Sequence, residues 1–149
     1  MSEYFVKFTL EHAIYIAQNN VQARQAFVDM PGLDLWWNNN KDNFLAYTLM
    51  DEDIPIACGG LTLQVRNMAE AWLLMSTSAR KHIIQIYRAV KVGLTAMIYE
   101  QKLVRVQATV DASWKEAQAF VESLGFECEG RLRRFGPNQE DYYVYSRIK

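Results

Sequence analysis

The sequence is poor in the residues that metal sites, disulfide frameworks and membrane spans require. Its two cysteines, Cys58 and Cys128, stand alone in the chain. Isolated cysteines suit small buried hydrophobes better than a disulfide framework or a zinc site. His12 and His82 are the only histidines, too few to assemble a zinc centre or a Ser-His-Asp triad. No apolar run approaches the ~18 to 20 residues of a membrane helix, and the opening residues lack the form of a signal peptide. The expectation is a cytoplasmic protein with no membrane partner. Seven glycines and three prolines leave no Pro/Gly-rich linker, repeat or low-complexity stretch, so one domain over residues 1–149 is expected.

What is present is a globular composition: half of the 149 residues are apolar and 13% are aromatic. The net charge of −1 is unevenly spread. Residues 1–53 hold three basic and eight acidic side chains, and the remainder holds thirteen basic and nine acidic. That balance is too mild for a duplex-binding face and argues against nucleic acid. It leaves room for a local anion site in the second half.

Hydrophobic periodicity predicts the elements. Tyr4 to Leu10 alternates as a strand, and His12 to Asn19 and Val21 to Val28 pattern as short helices closed by Pro31-Gly32. Phe44 to Met50 and Ile54 to Gln64 form a hairpin about the acidic turn Asp51-Glu52-Asp53. Ala69 to Met75 alternates, with Glu70, Trp72 and Leu74 on one face and Ala71, Leu73 and Met75 on the other. From Arg80 to Gln101 the period changes, and Ile83, Tyr87, Val90, Leu94 and Met97 make a helical stripe that Gly93 weakens. Val104 to Val110 is a strand. Ser113-Trp114-Lys115-Glu116 has the form of a capping box opening a helix that ends at Gly125. Phe126 to Arg131 and Tyr142 to Ile148 close the chain as strands about Gly136-Pro137-Asn138.

Several residues stand out chemically. Ser76, Thr77 and Ser78 are candidate helix caps, and Arg80, Lys81 and His82 fill what reads as the helix's first turn. Cations there oppose the helix dipole, and no acid lies between Glu70 and Glu100. The free amides of such a turn suit an anion, the alternative being a solvated basic turn. Leu35-Trp36-Trp37-Asn38-Asn39-Asn40 makes a poor helix or strand and reads as a loop. Trp36 and Trp37 are candidates for a binding surface or for the core. Tyr142, Tyr143 and Tyr145 alternate along the last strand and offer phenols, or packing. Arg131, Arg133 and Arg134 form a basic run that suits an acidic acceptor or a solvated turn.

The element order resembles that of the GNAT (GCN5-related N-acetyltransferase) superfamily over nearly the whole chain. Ala57-Cys58-Gly59-Gly60-Leu61 looks like the family's third strand, and Ala69 to Ser76 followed by a long helix looks like its coenzyme A-binding strand-turn-helix. Asp111 to Phe126 looks like its last helix. The resemblance implies an α/β (α+β) fold: a mixed, mostly antiparallel seven-stranded sheet flanked by about four helices. It implies an acetyl-CoA-dependent N-acetyltransferase that transfers an acetyl group to an amine acceptor inside a ternary complex. Cofactor binding would then fall to Leu74, Met75, Ser76, Ser78, Arg80, Lys81, His82 and Asp111, with Asp111 alternatively capping the helix after it. Glu70 would serve as general base, Tyr143 as the acid, and Trp36, Trp37 and Trp72 would shape the acceptor site. In two places the sequence departs from the family pattern. Arg80-Lys81-His82-Ile83-Ile84-Gln85 keeps the leading Arg of the pyrophosphate loop and replaces both glycines, and Val121 stands where many members have a tyrosine acid. The glycine-poor loop is similar to that of short bacteriophage-encoded GNAT-like proteins. The alternative to an enzyme is therefore a GNAT-fold binding or structural protein, phage-encoded or virion-associated. The exposed aromatics suit a homodimer.

Overall fold

Alternating apolar residues build strands at both ends of the chain and in its middle. In the computed structural model, which describes residues 3–19 and 32–149, there are seven of them: β1 (Glu3–Lys7), β2 (Phe44–Asp51), β3 (Ile54–Leu63), β4 (Met68–Met75), β5 (Arg105–Asp111), β6 (Glu127–Leu132) and β7 (Tyr142–Ile148). The α-helices are α1 (Leu10–Gln18), α2 (Leu33–Asn40), α3 (Ile83–Glu100) and α4 (Lys115–Ser123), with 3-10 turns at Lys41–Asn43 and Thr77–His82. The strands form one mixed sheet in the order β1-β2-β3-β4-β5-β7-β6. The pairs β1–β2, β2–β3, β5–β7 and β6–β7 are antiparallel, and β4–β5 is parallel. The parallel ladder is short, covering Met68↔Arg105, Ala69↔Val106 and Glu70↔Gln107. The seven strands and four helices match the expected fold class. The predicted helix Val21–Val28 lies outside the described residues.

Two compact units divide the chain: Met1–Thr62 with Trp72–Leu94, and Leu63–Ala71 with Thr95–Lys149. The first holds two buried clusters, and the pleat of β4 assigns its side chains between them. Trp72 and Leu74 pack with Phe8, Ala13, Ile16, Ala46 and Cys58, whereas Leu73 and Met75 pack with Leu49, Ile56, Ala57, Ala79 and Ile86. The alternation read from the sequence thus holds along β4. Gly59 and Gly60 let these layers meet. A Cβ on Gly59 would come within 2.6 Å of the Trp72 carbonyl oxygen, and one on Gly60 would overlap the Leu45 carbonyl. The second unit is the β5–β7–β6 ladder with α4 and the end of α3, its core drawn from Val106, Ala108, Val110, Leu124, Phe126 and Tyr145.

Local chemistry explains where the elements differ from expectation. The first strand ends at Lys7 and not Leu10, because Thr9 caps α1. Its side chain accepts from the His12 amide while the Thr9 amide donates to His12 Nδ1, a reciprocal arrangement of the capping-box kind. Segment 35–40 is helical, not a loop. Gly32 takes a left-handed φ of 72° to open α2, the Asn40 side-chain amide donates to the Trp36 carbonyl, and Trp37 docks into the first cluster. Tertiary packing here outweighs a poor local propensity. Ser113 does not cap α4; its amide and hydroxyl both donate to Asp111 Oδ1. Gln118, a polar residue that belongs to no sequence motif, is buried and donates to the Asp111 and Ala112 carbonyls, closing that corner. On α3 Ile86 and Leu94 are buried and Val90 is partly buried, while Ile83 is exposed. Cys58 is buried, as an isolated cysteine should be, and burial pushes its thiol up to about 12. Cys128 is exposed instead, because it lies on the edge strand β6.

Candidate active site

The turn after β4 is where the sequence first suggests an anion. Strand β4 ends at Met75, and the backbone enters a 3-10 turn over Thr77–His82 before α3 begins at Ile83. Arg80, Lys81 and His82 therefore precede the α-helix by one turn and do not occupy its first turn as expected. The donors differ in availability. Ser76 is buried, its hydroxyl donating to the Ile56 carbonyl at 2.9 Å and lying 2.9 Å from Ser78 Oγ. His82 Nδ1 lies 3.4 Å from a Glu3 carboxylate oxygen, and both side chains are largely covered. Ser78, Arg80 and Lys81 are exposed. Arg80, Lys81 and Ser78 are the side chains of this turn that a diphosphate-bearing cofactor would meet, while Ser76 and His82 hold the turn in place.

The same unit holds an aromatic cluster. Phe8, Trp37, Phe44 and Trp72 meet mostly edge to face, with Phe8–Trp37 centroids 5.3 Å apart, Phe8–Trp72 5.1 Å and Trp37–Phe44 5.0 Å. Such contacts add about 0.5 to 1.5 kcal/mol each beyond burial. Trp36 leans edge-on against Phe44 and remains 41% exposed. Of the three tryptophans read as acceptor-shaping, Trp36 alone presents a broad surface, and Trp37 and Trp72 are half-buried supports. Among the described residues, the Trp72 indole Nε1 is buried with no hydrogen-bond partner. Beneath the cluster, His12 Nδ1 accepts from the fully buried Thr48 hydroxyl at 2.8 Å. Since Nδ1 also accepts from the Thr9 amide, the ring proton resides on Nε2. Burial lowers the His12 pKa against the raising effect of Glu11, in keeping with a neutral ring.

In the second unit, Glu70 is the last β4 residue paired with β5. It is half-buried, and desolvation raises its carboxyl pKa. Asp111 ends β5 opposite Tyr142, its Oδ1 committed to Ser113. Tyr143 is half-buried, pairs with Val110 and Arg131, and has the Arg131 guanidinium 5.7 Å above its ring. Tyr145 is not available as an acid. It is buried, donates to Glu122 at 2.9 Å, and is pushed up to about 12 chiefly by desolvation. The predicted site residues therefore sort into a basic turn with an aromatic cluster in one unit, and Glu70, Asp111 and Tyr143 in the other.

The nearest signal beyond these residues is architectural. A ribosomal-protein alanine acetyltransferase from Vibrio fischeri superposes with a TM-score of 0.72 at 17% identity, covering 99% of this chain and 93% of that one. A chain of the NatC complex bound to Gag peptide and CoA gives 0.75 at 16% identity, covering 100% and 99%. The fold is that of the GNAT acetyltransferases. An acetyltransferase of the GNAT family from Bacillus anthracis gives 0.69 at 15% identity, covering 99% and 95%, and a spermidine N-acetyltransferase variant from Vibrio cholerae gives 0.74 at 13% identity, covering 99% and 94%. No protein-family model and no curated protein matches the chain. Among the described residues no helix is long and apolar enough to cross a membrane, and no cluster of metal-ligating side chains occurs.

Proposed function

We propose that the chain is an acetyl-CoA-dependent N-acetyltransferase acting on an amine acceptor by direct transfer. The observation that carries this reading is Glu70. Its carboxyl pKa is raised by burial, and it lies on the strand that runs into an acid-free basic turn. Arg80, Lys81 and Ser78 would hold the cofactor's pyrophosphate, and the β4 backbone at Leu74 and Met75 would hold its arm. When bound, acetyl-CoA supplies an acetyl group activated as a thioester. Glu70 takes a proton from the acceptor amine, leaving a neutral nitrogen able to attack. A base of raised pKa is better matched to that task near neutral pH than an ordinary carboxylate. Backbone amides of β4 beyond Glu70 would donate to the acetyl oxygen. As the thioester C–S bond breaks and the new amide C–N bond forms, Tyr143 Oη would protonate the departing thiolate, a role that Val121 cannot fill. The GNAT structures it resembles include acetyltransferases of a ribosomal-protein alanine and of spermidine, so protein and small-molecule amines both belong in the acceptor screen.

One observation favours a second reading, a GNAT-fold binding protein without transfer chemistry. Ser76 and His82 spend their polar atoms on Ile56 and Glu3, which leaves the turn fewer outward donors. The same glycine-poor turn carries the resemblance to bacteriophage-encoded members. Calorimetric titration of acetyl-CoA and of CoA separates the two. The enzyme reading expects micromolar binding that Arg80→Glu weakens at least about tenfold. Absence of binding at millimolar ligand would overturn it in favour of the second.

A further inference from the structure

Sheet edges are commonly protected by charged side chains, and where edge strand β6 runs into the turn toward β7 those charges are of one sign. Arg131, Arg133 and Arg134 fall within four residues, followed by Phe135. All four are exposed and line an open groove with Leu132 between them. The connecting turn also contains two acids, Glu140 and Asp141, and both are engaged by hydrogen bonds within it. Glu140 Oε2 accepts from the Asn138 amide at 2.9 Å. Asp141 accepts from the Arg134 amide at 3.0 Å through Oδ1 and from Arg131 Nε at 2.7 Å through Oδ2. Those two bonds, the backbone one foremost, hold the Asp141 carboxyl below its ordinary range.

The Asp141 carboxylate thus works as an organiser. It fixes Arg134, a non-glycine residue at a left-handed φ of 55°, and grips Arg131 by Nε, while the Arg131 guanidinium remains exposed. Arg131 is further set over the Tyr143 ring. Phe135 packs on Tyr142 with centroids 5.4 Å apart, bracing the far side of the turn. Arg134 Nη1 makes only a long contact, 3.5 Å, to Gln139. Holding these forks in place before a partner arrives reduces the entropy lost on binding.

We propose that this hairpin is a docking surface for an acidic peptide segment. Guanidinium forks pair bidentately with carboxylates, and the exposed Phe135 offers an apolar contact beside them. A run of five residues suits two or three carboxylates. A long polyanion is a poorer match in number, because only three cations are clustered here and the chain as a whole carries a net charge of −1. The surface stands without any acetyl transfer, so its test does not depend on catalysis.

The test is fluorescence anisotropy with the full chain and a fluorescein-labelled peptide rich in Glu and Asp, at low salt and again near 0.3 M, where screening shortens to about 6 Å. A single-stranded oligonucleotide serves as the competing polyanion. Saturable binding at low salt that weakens at high salt is expected. Arg133→Glu should weaken it about tenfold or more, and Lys41→Glu, with the same change in net charge, should leave it within about twofold. Asp141→Asn discriminates further. It makes the hairpin more positive, so bulk attraction predicts tighter binding, whereas loss of the organiser predicts weaker binding. Failure of the wild-type protein to bind the peptide, equal loss in Lys41→Glu, tightening in Asp141→Asn, or preference for the oligonucleotide would each overturn the proposal.

Discussion

Two carboxylates of the same sheet respond to opposite surroundings. Burial raises the Glu70 pKa, so its protonated form is favoured in the fold. The stability this contributes is complete below the ordinary glutamate value and is lost as pH rises through the raised one. Glu70→Gln should accordingly melt no lower than the wild-type protein at pH 7, while the proposed acetyl transfer should fall about 10² to 10⁴-fold in rate. Thermal midpoints and steady-state rates on the same samples check both halves. Glu129 is the reverse case. Hydrogen bonds from Arg105 and then Ser146 lower its pKa to about 2. Its contribution is present above the ordinary 4.5 and disappears as pH falls toward 2. Glu129→Gln should therefore be less stable than wild type at pH 7, with the gap closing across that acidic window in denaturation midpoints. The pairing of Arg105 with Glu129 bridges β5 and β6 across β7, a relation of strand order that residue spacing does not carry.

At the scale of elements, α2 and the two glycine sites are the informative places. Trp37 is tied to Phe8 and Phe44 and should cost about 2 to 4 kcal/mol when replaced by alanine, whereas the exposed Trp36 should cost less than about 1 kcal/mol. Urea unfolding of the two variants provides the comparison. Gly93 sits within the continuous helix α3, and a methyl group added there would meet no other part of the protein within 4 Å. Gly93→Ala should stabilise by about 1 kcal/mol. Gly60→Ala, by contrast, drives a methyl into the Leu45 carbonyl and should cost about 2 kcal/mol or more. Strands were legible in the sequence because a period of two survives one buried face, and the boundaries of β2, β4 and β7 moved by a residue at most. Helix α2 was illegible because three asparagines and two tryptophans carry no helical period, and only Trp37's docking partners, distant in sequence, make it helical. The start of α4 was illegible for a related reason: Ser113 is claimed by Asp111, two residues back, before it can serve the helix. Of the features at the candidate site, the strand position of Glu70 and the clustering of Arg80, Lys81 and His82 after β4 were readable, though not the 3-10 turn that holds them. The inward commitments of Ser76 and His82 were not, since Ile56 and Glu3 lie far away along the chain.

The molecule as a whole has a GNAT sheet whose parallel pair is three residues long and whose two compact units partition its tryptophans unevenly. Trp36, Trp37 and Trp72 fall in the first unit, and Trp114 alone falls in the second. The buried aromatic cluster therefore doubles as an optical label. Trp72 and Trp37 sit in apolar surroundings, so they should emit at shorter wavelength than the more exposed Trp36 and Trp114. In a Trp114→Phe protein all indole emission reports on the first unit, and the red shift on unfolding marks the moment that cluster opens to water. Comparing that transition with the loss of far-ultraviolet circular dichroism asks whether both units melt together. Coincident midpoints would mean a single cooperative transition, and separated ones would mean that each unit carries its own stability, measurable without attaching any dye.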